Sequence, residues 1–165
     1  MTKNKFTIGN YLVFPKYGIG KCDSYQQVNV DGKNYKMLVI NFAQSKMVLK
    51  LPKDKLNNAD CRSLSTPKQM HEALQILSNP KRIYGDWKRR QRVYYRKITS
   101  NQLHLIAEVI SELRPLIAAG TNVNGELEIY KNALNLFIQE LMVVNACDMK
   151  TALQMIEKIC LIRKS

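Results

Sequence analysis

The stretch "VDGKNYKMLVINFAQSKMVLKLP", residues 30–52, decides the fold of the first part of the chain. Asp31 and Gly32 stand between two β-prone runs. This pair predicts a tight hairpin because both central positions of the turn favour positive φ. The run "YKMLVINF" (35–42) is rich in apolar and β-forming residues, which is typical of a strand. We therefore predict antiparallel strands joined at Asp31-Gly32.

The run "KMVLKLP" (46–52) alternates strictly, so one face of its strand is expected to be buried and the other to be wet and basic. The buried face is expected to carry Met47, Leu49 and Leu51. The wet face is expected to carry Lys46, Val48 and Lys50.

Closer to the N-terminus, "YLVF" (11–14) predicts a further strand that ends at Pro15. Gly18 and Gly20 in "KYGIGK" predict a sharp bend after it. About five short strands thus fall within roughly 50 residues, without a helix between them. This pattern fits a small antiparallel barrel of SH3 or Tudor type, and such barrels bind partners more often than they catalyse.

Beyond residue 60 the spacing of apolar residues becomes helical. Thr66, Pro67 and Gln69 form a capping-box pattern with proline in the first turn, which predicts a helix that ends at Asn79-Pro80. Three further polar residues are expected to cap helices, namely Asp86, Ser100 and Asp148.

Pro115 is expected to disturb the third helix, and the loop 118–125 separates that helix from a fourth. Five helices in about 100 residues predict a compact bundle. The predicted fold class is therefore α+β. Its parts are a Tudor/SH3-like antiparallel barrel in residues 1–58, a short linker in 59–66 and a five-helix bundle in 67–165.

The chain carries 26 lysines and arginines against 13 acids, a formal net charge of +13. Residues 81–97 contain eight of these bases and one acid, whereas residues 98–165 contain six bases and seven acids. A solvated helix face usually mixes both signs, so this imbalance favours a polyanionic partner over a merely solvated face. Lys88, Arg92 and Arg96 are predicted to form one row along the helix, since they lie four residues apart.

The basic run contains the only tryptophan of the chain, Trp87, and two interpretations of it stay open. A tryptophan buries a large area, which favours a core position. Its place in the first turn of a cationic helix, next to free backbone N–H groups, instead favours a wedge into duplex DNA. The tyrosines of the run stay open between stacking on a nucleic acid and packing between helices; they are Tyr84, Tyr94 and Tyr95.

Motifs of common enzyme classes are missing from the sequence, which has no Walker loop, GxGxxG, GxSxG or HExxH pattern. His71 and His104 lack metal-ligand spacing, and the four cysteines include no CxxC pair. Cys61 stands beside Arg62, a cation that lowers a thiol pKa, but no base lies nearby in sequence. We therefore expect no enzyme, no metal and no cofactor.

No apolar run approaches the ~20 residues that span a bilayer. The first residues lack the apolar stretch of a signal peptide. We expect a cytoplasmic protein without membrane contact.

Six motifs, taken in order, resemble the CarD/CdnL family of bacterial transcription regulators. They are "FTIGNYLVFPKYGIGK", "VDGKNYKMLVINF", "KMVLKLP", "CRSLS", "WKRR" and "RKITSNQLHLIAEVISEL". The resemblance implies that the Tudor-like domain binds the lobe (protrusion) of the β subunit of RNA polymerase, as the same module does in the transcription-repair coupling factor. It also implies that the helical domain contacts double-stranded promoter DNA at the upstream edge of the transcription bubble. There, a tryptophan in the minor groove stabilises the open complex.

Carried over by position, the resemblance assigns the wedge to Trp87 and the basic pair after it to Arg89 and Arg90. Lys97 falls at the family's lysine before the third helix. Together with the other bases of the run, the predicted DNA-binding residues are Trp87, Lys88, Arg89, Arg90, Arg92, Arg96 and Lys97.

On the barrel, Lys50 matches a basic residue that contacts polymerase in the family, and Val28 stands where an earlier strand of the family has an arginine. The predicted polymerase-binding residues are Val28, Lys46, Val48 and Lys50. The sequence thus predicts a monomeric, non-catalytic transcription regulator associated with the bacterial nucleoid. The alternative is a stand-alone RNA-binding or ribosome-associated module, in which the basic helix reads RNA.

Overall fold

The computed structural model describes residues 4–82, 85–123 and 125–161. The chain divides into two compact units, Met1–Leu64 and Ser65–Ser165. The first unit is built on an antiparallel sheet and the second on helices, which confirms the α+β class.

The N-terminal unit contains a five-stranded antiparallel sheet. Its strands are β1 (Tyr11–Phe14), β2 (Gly18–Val30), β3 (Lys33–Phe42), β4 (Met47–Pro52) and β5 (Arg62–Ser63). They lie in the order β4-β3-β2-β1-β5, and a 3-10 helix, Lys53–Asn58, follows β4. The predicted small antiparallel fold of Tudor type is confirmed.

The last strand lies inside the segment 59–66, for which the sequence predicted a linker. Arg62 of β5 stands opposite Val13 of β1 in an antiparallel pair. Part of the predicted linker therefore completes the sheet.

The hairpin between β2 and β3 has the geometry that the sequence predicts. Asp31 and Gly32 have φ values of 50° and 77°, and Val30 stands opposite Lys33 across the turn. The Gly32 N–H donates to the Asn29 side-chain oxygen at 3.2 Å, which adds a side-chain contact to the turn.

The two glycines that predicted a bend have different roles. Gly18 has a φ of 77° and lies where the chain turns into β2. Gly20 lies inside β2, where a Cβ would come within 2.5 Å of Ile40 Cγ2 and 2.9 Å of the Phe42 ring. The prediction of a bend is therefore wrong for Gly20, whose missing side chain instead makes room for the core.

β4 confirms the alternation read from the sequence. Val48 is 55% exposed, and the predicted inward residues Met47, Leu49 and Leu51 pack against the core of the sheet. The buried residues of that core are Phe6, Leu12, Phe14, Cys22, Leu38, Ile40, Phe42, Leu56 and Cys61.

The described part of the C-terminal unit contains the five predicted helices. They are α1 (Pro67–Leu77), α2 (Trp87–Thr99), α3 (Leu103–Ala118), α4 (Glu126–Val144) and α5 (Met149–Leu161). All five contribute buried side chains to one core, which includes Met70, Leu74, Tyr94, Ile98, Ile110, Leu113, Phe137, Leu141 and Ile156.

The predicted caps of the first and last helices are present. The Gln69 N–H donates to Thr66 Oγ1 at 3.2 Å, and the Thr66 N–H donates to Gln69 Oε1 at 2.9 Å, which completes a capping box. At the start of α5 the Thr151 N–H donates to Asp148 Oδ1 at 2.8 Å. Local sequence signals therefore place both helix starts correctly.

The prediction that Ser100 caps α3 is wrong. Ser100 has a helical backbone and ends α2, and its hydroxyl donates to the Lys97 carbonyl at 2.6 Å. Asn101 then takes a φ of 57°, and the extended residue Gln102 precedes α3. Because an N-cap needs an extended backbone, Ser100 cannot serve as one while it continues α2.

Pro115 lies inside α3 and does not end it. Proline removes one backbone N–H, here the donor that would have reached the Ser111 carbonyl. The helix continues to Ala118, and the Ala119 N–H donates to the Pro115 carbonyl at 3.0 Å. The predicted disturbance therefore does not end the helix.

Candidate nucleic-acid interface

The start of α2 is set by a side-chain cap, as the sequence predicts. Asp86 precedes the helix with an extended backbone, and its Oδ1 accepts from the Arg89 N–H at 2.9 Å. The cap fixes which residue opens the helix, and therefore which residues share each face. It also occupies one of the free backbone N–H groups that were expected to favour a phosphate.

One face of α2 presents bases to solvent. Lys88, Arg92 and Arg96 are all exposed, which confirms the predicted row, and Arg89 is exposed beside them. The alkyl part of Arg89 runs past Gly85, where an added Cβ would lie 3.0 Å from Arg89 Cδ. These four cations form what we call the exposed basic face, consisting of Lys88, Arg89, Arg92 and Arg96.

The opposite face of α2 packs inward. Tyr94 and Ile98 are buried, and Trp87 is half-buried against the core of the helical unit. Arg90 and Lys97 lie at three- and four-residue spacings from these positions, so the helix turns them toward the core as well. Spacing from Trp87 and Tyr94 was the signal in the sequence that separates these two bases from the other four.

Trp87 lies over the first residue before α4. An added Cβ on Gly125 would be 3.1 Å from Cζ2 of the Trp87 indole, and Gly125 has a φ of 91°. Both features require glycine at this position. One side of the indole therefore lies against the protein, while part of the side chain stays accessible to solvent. Trp87 is neither a fully buried core residue nor a fully exposed one.

Arg90 is held by groups of the protein itself. Its Nη2 donates to Glu126 Oε1 at 2.9 Å, its Nε donates to the same oxygen at 3.3 Å, and its Nη1 donates to the Gly85 carbonyl at 2.9 Å. The Glu126 side chain is fully buried, and its Oε2 accepts from the Val123 N–H at 2.9 Å. The sequence reading missed Glu126, which lies 36 residues from its partner.

Lys97 is also paired with acids. Its Nζ lies 2.8 Å from Glu108 Oε2 and 3.2 Å from Glu112 Oε1, both on α3. Burial alone would lower the pKa of Lys97, but hydrogen bonds and charges from the two glutamates outweigh burial and raise that pKa. Burial raises the pKa of Glu112, and Lys97 offsets only part of this rise.

The tyrosines of the basic run separate in the structure. Tyr94 is 1% exposed, and burial, with smaller effects from Glu112 and Glu126, raises its pKa to about 12 despite the nearby Arg90. Tyr95, the next residue, is 51% exposed. Tyr94 therefore packs between helices. For Tyr95, stacking on a nucleic acid stays a prediction. Tyr84 lies outside the described residues.

Three of the four residues of the N-terminal unit that were predicted to bind polymerase lie close together. Val48 and Lys50 are exposed on β4, an edge strand of the sheet, and Lys46 is exposed with a φ of 53° just before it. Val28 lies two strands away on β2, opposite Tyr35 of β3. The edge strand thus gathers Lys46, Val48 and Lys50 but not Val28.

Groups considered for catalysis do not assemble into a site. His71 and His104 are exposed on α1 and α3. Cys61 is buried, and burial raises its pKa although Lys5 acts in the opposite direction, which disfavours a reactive thiolate. Among the described residues, no group of three His, Cys, Asp or Glu side chains is placed to hold a metal ion. In the same part of the chain, no helix is long and apolar enough to cross a membrane.

Two family models match the chain and together span most of it. The model of the CarD-like/TRCF RID domain matches residues 6–65, and the model of the CarD C-terminal domain matches residues 68–157. The chain is also 22% identical over 147 residues to YdeB of Bacillus subtilis (strain 168), described as a proposed transcription factor, covering 88% of this chain and 95% of that protein. The matches follow the boundary between the two units, and the chain belongs to the CarD/CdnL family of bacterial transcription regulators.

Proposed function

We propose that this transcription regulator binds the β subunit of RNA polymerase, at its lobe (protrusion), through residues 1–58. We further propose that residues 67–165 bind promoter DNA at the upstream edge of the bubble, where Trp87 enters the minor groove and stabilises the open complex. Both contacts belong to one chain, so a monomer suffices. Polymerase and promoter place the protein at the nucleoid, in the cytoplasm.

One observation carries the DNA part of the proposal. Trp87 is a partly accessible indole in the first turn of α2, and the exposed basic face begins at the next residue, Lys88. Minor-groove proteins use an apolar wedge between base steps together with cations on the flanking phosphates. At the first turn of α2 the partly accessible indole and Lys88, the first cation of that face, are consecutive residues.

The surroundings of the bases favour four of them for the proposed phosphate contacts. The exposed basic face is free to approach DNA, and four cations near one duplex would release counterions on binding. Arg90 and Lys97, also predicted from the sequence to bind DNA, already have carboxylate partners within the helical unit. We therefore assign the phosphate contacts to Lys88, Arg89, Arg92 and Arg96.

The polymerase part of the proposal rests on the edge strand β4. An edge strand can pair its main chain with a strand of a partner, and exposed side chains such as Lys50 then add specificity. Val28, where the family has an arginine, lies away from this edge. The polymerase contact of this chain is therefore centred on β4.

A modest interaction energy is enough for the proposed effect. Binding to polymerase keeps the helical unit close to promoter DNA, which raises the effective concentration of the wedge. About 1.4 kcal/mol of preference for the open complex would shift the ratio of open to closed complexes about tenfold.

The lifetime of the open complex tests the wedge. Trp87→Ala should shorten it about tenfold while polymerase binding is retained. Leu153→Ala is the control, since it removes an accessible apolar side chain of the helical unit from α5, outside α2, and should leave the lifetime unchanged. An unchanged lifetime for Trp87→Ala would refute the wedge.

Capture from a bacterial lysate tests the partner. The wild-type chain should retain the polymerase β subunit, and Lys50→Glu should lose it. If ribosomal RNA were captured instead of polymerase, the RNA-binding alternative would replace this proposal.

A further inference from the structure

We infer that Arg90 and Glu126 are positioning residues, which hold the Trp87 indole in the orientation that the wedge requires. This inference rests on the proposed role of Trp87 in DNA binding. It gives Arg90 a function different from that of the bases on the exposed face. Arg90 acts through the indole and not on a phosphate.

The Arg90 guanidinium joins the two segments that flank Trp87. Through Nη1 it holds the carbonyl of Gly85, two residues before the tryptophan. Through Nη2 and Nε it holds Glu126, the first residue of α4 and the neighbour of the glycine under the indole. One planar group therefore ties the approach to α2 to the start of α4.

Glu126 extends the connection into the loop before α4. Its Oε1 accepts from Arg90, and its Oε2 accepts from the Val123 N–H at 2.9 Å. The carboxylate is fully buried, where an unpaired charge is costly, so both partners are strongly preferred. Loss of either contact would free the short segment that contains Gly125.

Gly125 transmits this placement to the indole. An added Cβ on Gly125 would be 3.1 Å from Cζ2 and 3.6 Å from Cη2 of Trp87, two atoms of the six-membered ring, so this residue packs closely against the indole. A shift of the α4 start would therefore remove the surface on which the indole lies. A wedge with a defined orientation loses less conformational freedom when it enters DNA than a freely rotating side chain does.

The alternative role for Arg90, a direct phosphate contact, predicts the opposite outcome for one substitution. Glu126→Gln removes a negative charge near a DNA-binding surface. If Arg90 contacted DNA, this change would release the guanidinium and strengthen binding. If Arg90 positions Trp87, the same change weakens the wedge, because glutamine offers one acceptor oxygen where the site needs two.

The experiment compares Glu126→Gln with Glu128→Gln in the full chain. Glu128 lies two residues further along α4, is largely exposed and pairs with Lys131, so its substitution removes the same charge without touching Arg90. Each variant is measured for open-complex lifetime on one promoter and for tryptophan fluorescence without DNA. Trp87 is the only tryptophan, so the fluorescence reports on this indole alone.

For Glu126→Gln we expect red-shifted emission, faster quenching by acrylamide and an open-complex lifetime about tenfold shorter, equivalent to about 1.4 kcal/mol. Glu128→Gln should match the wild type in every measurement. Wild-type fluorescence or a wild-type or longer lifetime for Glu126→Gln would overturn the inference.

Arg90→Lys covers the case in which Glu126→Gln does not fold. Lysine keeps the positive charge but lacks the planar fork, so it cannot hold Gly85 and Glu126 in the same way. We expect changes in fluorescence and lifetime in the same direction, and full retention of both would overturn the inference.

Trp87→Ala, measured in parallel, separates the two proposals. If Trp87→Ala keeps the wild-type lifetime, the proposed function fails. If only Trp87→Ala shortens the lifetime, the positioning role alone fails.

Discussion

The edge strand β4 and the helix α2 are both basic segments in the sequence, but their bases differ in exposure to solvent and in pairing with acids. Lys46 and Lys50 are exposed at β4, whereas Arg90 and Lys97 of α2 lie against carboxylates of other helices. A strand has a period of two, so alternation sends every base to one side. A helix turns about 100° per residue, so a dense basic run also places bases on the inward face.

The comparison shows that cations of one run can have different roles. An exposed base is free to meet a polyanion, while a base turned toward the core needs a buried acid. Glu126 and Glu112 provide such acids from α4 and α3. The fold therefore divides a single charged segment into an exposed face and a set of bases paired with acids of other helices.

The largest expected effect separates Arg90 from its neighbour. Arg90→Ala leaves the buried Glu126 carboxylate without its cation, which should destabilise the helical unit by about 4 kcal/mol. Arg89→Ala removes an exposed base and should change stability by less than about 0.5 kcal/mol. Denaturant unfolding followed by circular dichroism measures both, and equal losses would erase the distinction between the two faces of α2.

A smaller effect is expected at Lys97. Lys97→Ala should cost about 2 kcal/mol at neutral pH, because Glu112 then stays buried without a donor. Burial raises the pKa of Glu112, so its protonated form is favoured in the folded state. The cost should therefore shrink as the pH falls toward the usual pKa of a carboxyl group from above, because folded Glu112 takes up its proton at a higher pH than the unfolded chain does.

Unfolding of Lys97→Ala and of Arg96→Ala, measured from neutral to acidic pH, checks this prediction. Arg96 is the exposed neighbour, and its variant should follow the wild type throughout. A cost for Lys97→Ala that does not change with pH would show that Glu112 is not its source.

Substitution of Tyr94 tests whether the inward face of α2 is shielded from water. Its pKa is raised to about 12, so above its usual value of 10 the unfolded chain ionises first, and the stability from this group is lost as the pH rises through that interval. At about pH 11 the loss amounts to about 1.4 kcal/mol. Tyr94→Phe should lack this part of the alkaline loss. The measurement is the difference in unfolding free energy between Tyr94→Phe and the wild type, followed from pH 8 to pH 11. A difference that stays constant over this range would contradict the buried phenol.

The smallest effect on stability is expected at β4. Lys50→Glu should change the unfolding free energy by less than about 0.5 kcal/mol, because the side chain is exposed. Thermal unfolding of the variant measures this, and a large loss would mean that Lys50 supports the fold. A small loss sharpens the comparison, since failure to capture polymerase could then be attributed to the contact surface.

Local signals in the sequence were sufficient for most elements of the fold. The Asp31-Gly32 turn, the alternation in β4 and the Thr66 capping box depend on residues within a few positions of one another. Ser100 was misassigned because helix N-caps and helix ends accept the same residue, and the turn at Asn101 decided between them. Gly20 was misread because its close neighbours, on β3, are distant in sequence.

The candidate site could be predicted only in part. The spacing of four residues identified the row of Lys88, Arg92 and Arg96, because helix geometry alone determines it. The surroundings of Trp87 depend on Gly125, which lies 38 residues further along the chain. No local pattern in α2 indicates that glycine.

By itself, the sequence determined the α+β class, the positions of most strands and of the helices along the chain, and the concentration of positive charge around Trp87, because composition and short-range periodicity encode them. Only the tertiary structure decided that Arg90 pairs with Glu126 and that Lys97 pairs with Glu108 and Glu112. The physical reason is that a charge needs a partner only once packing removes it from water. Packing depends on residues that the chain brings together from distant positions.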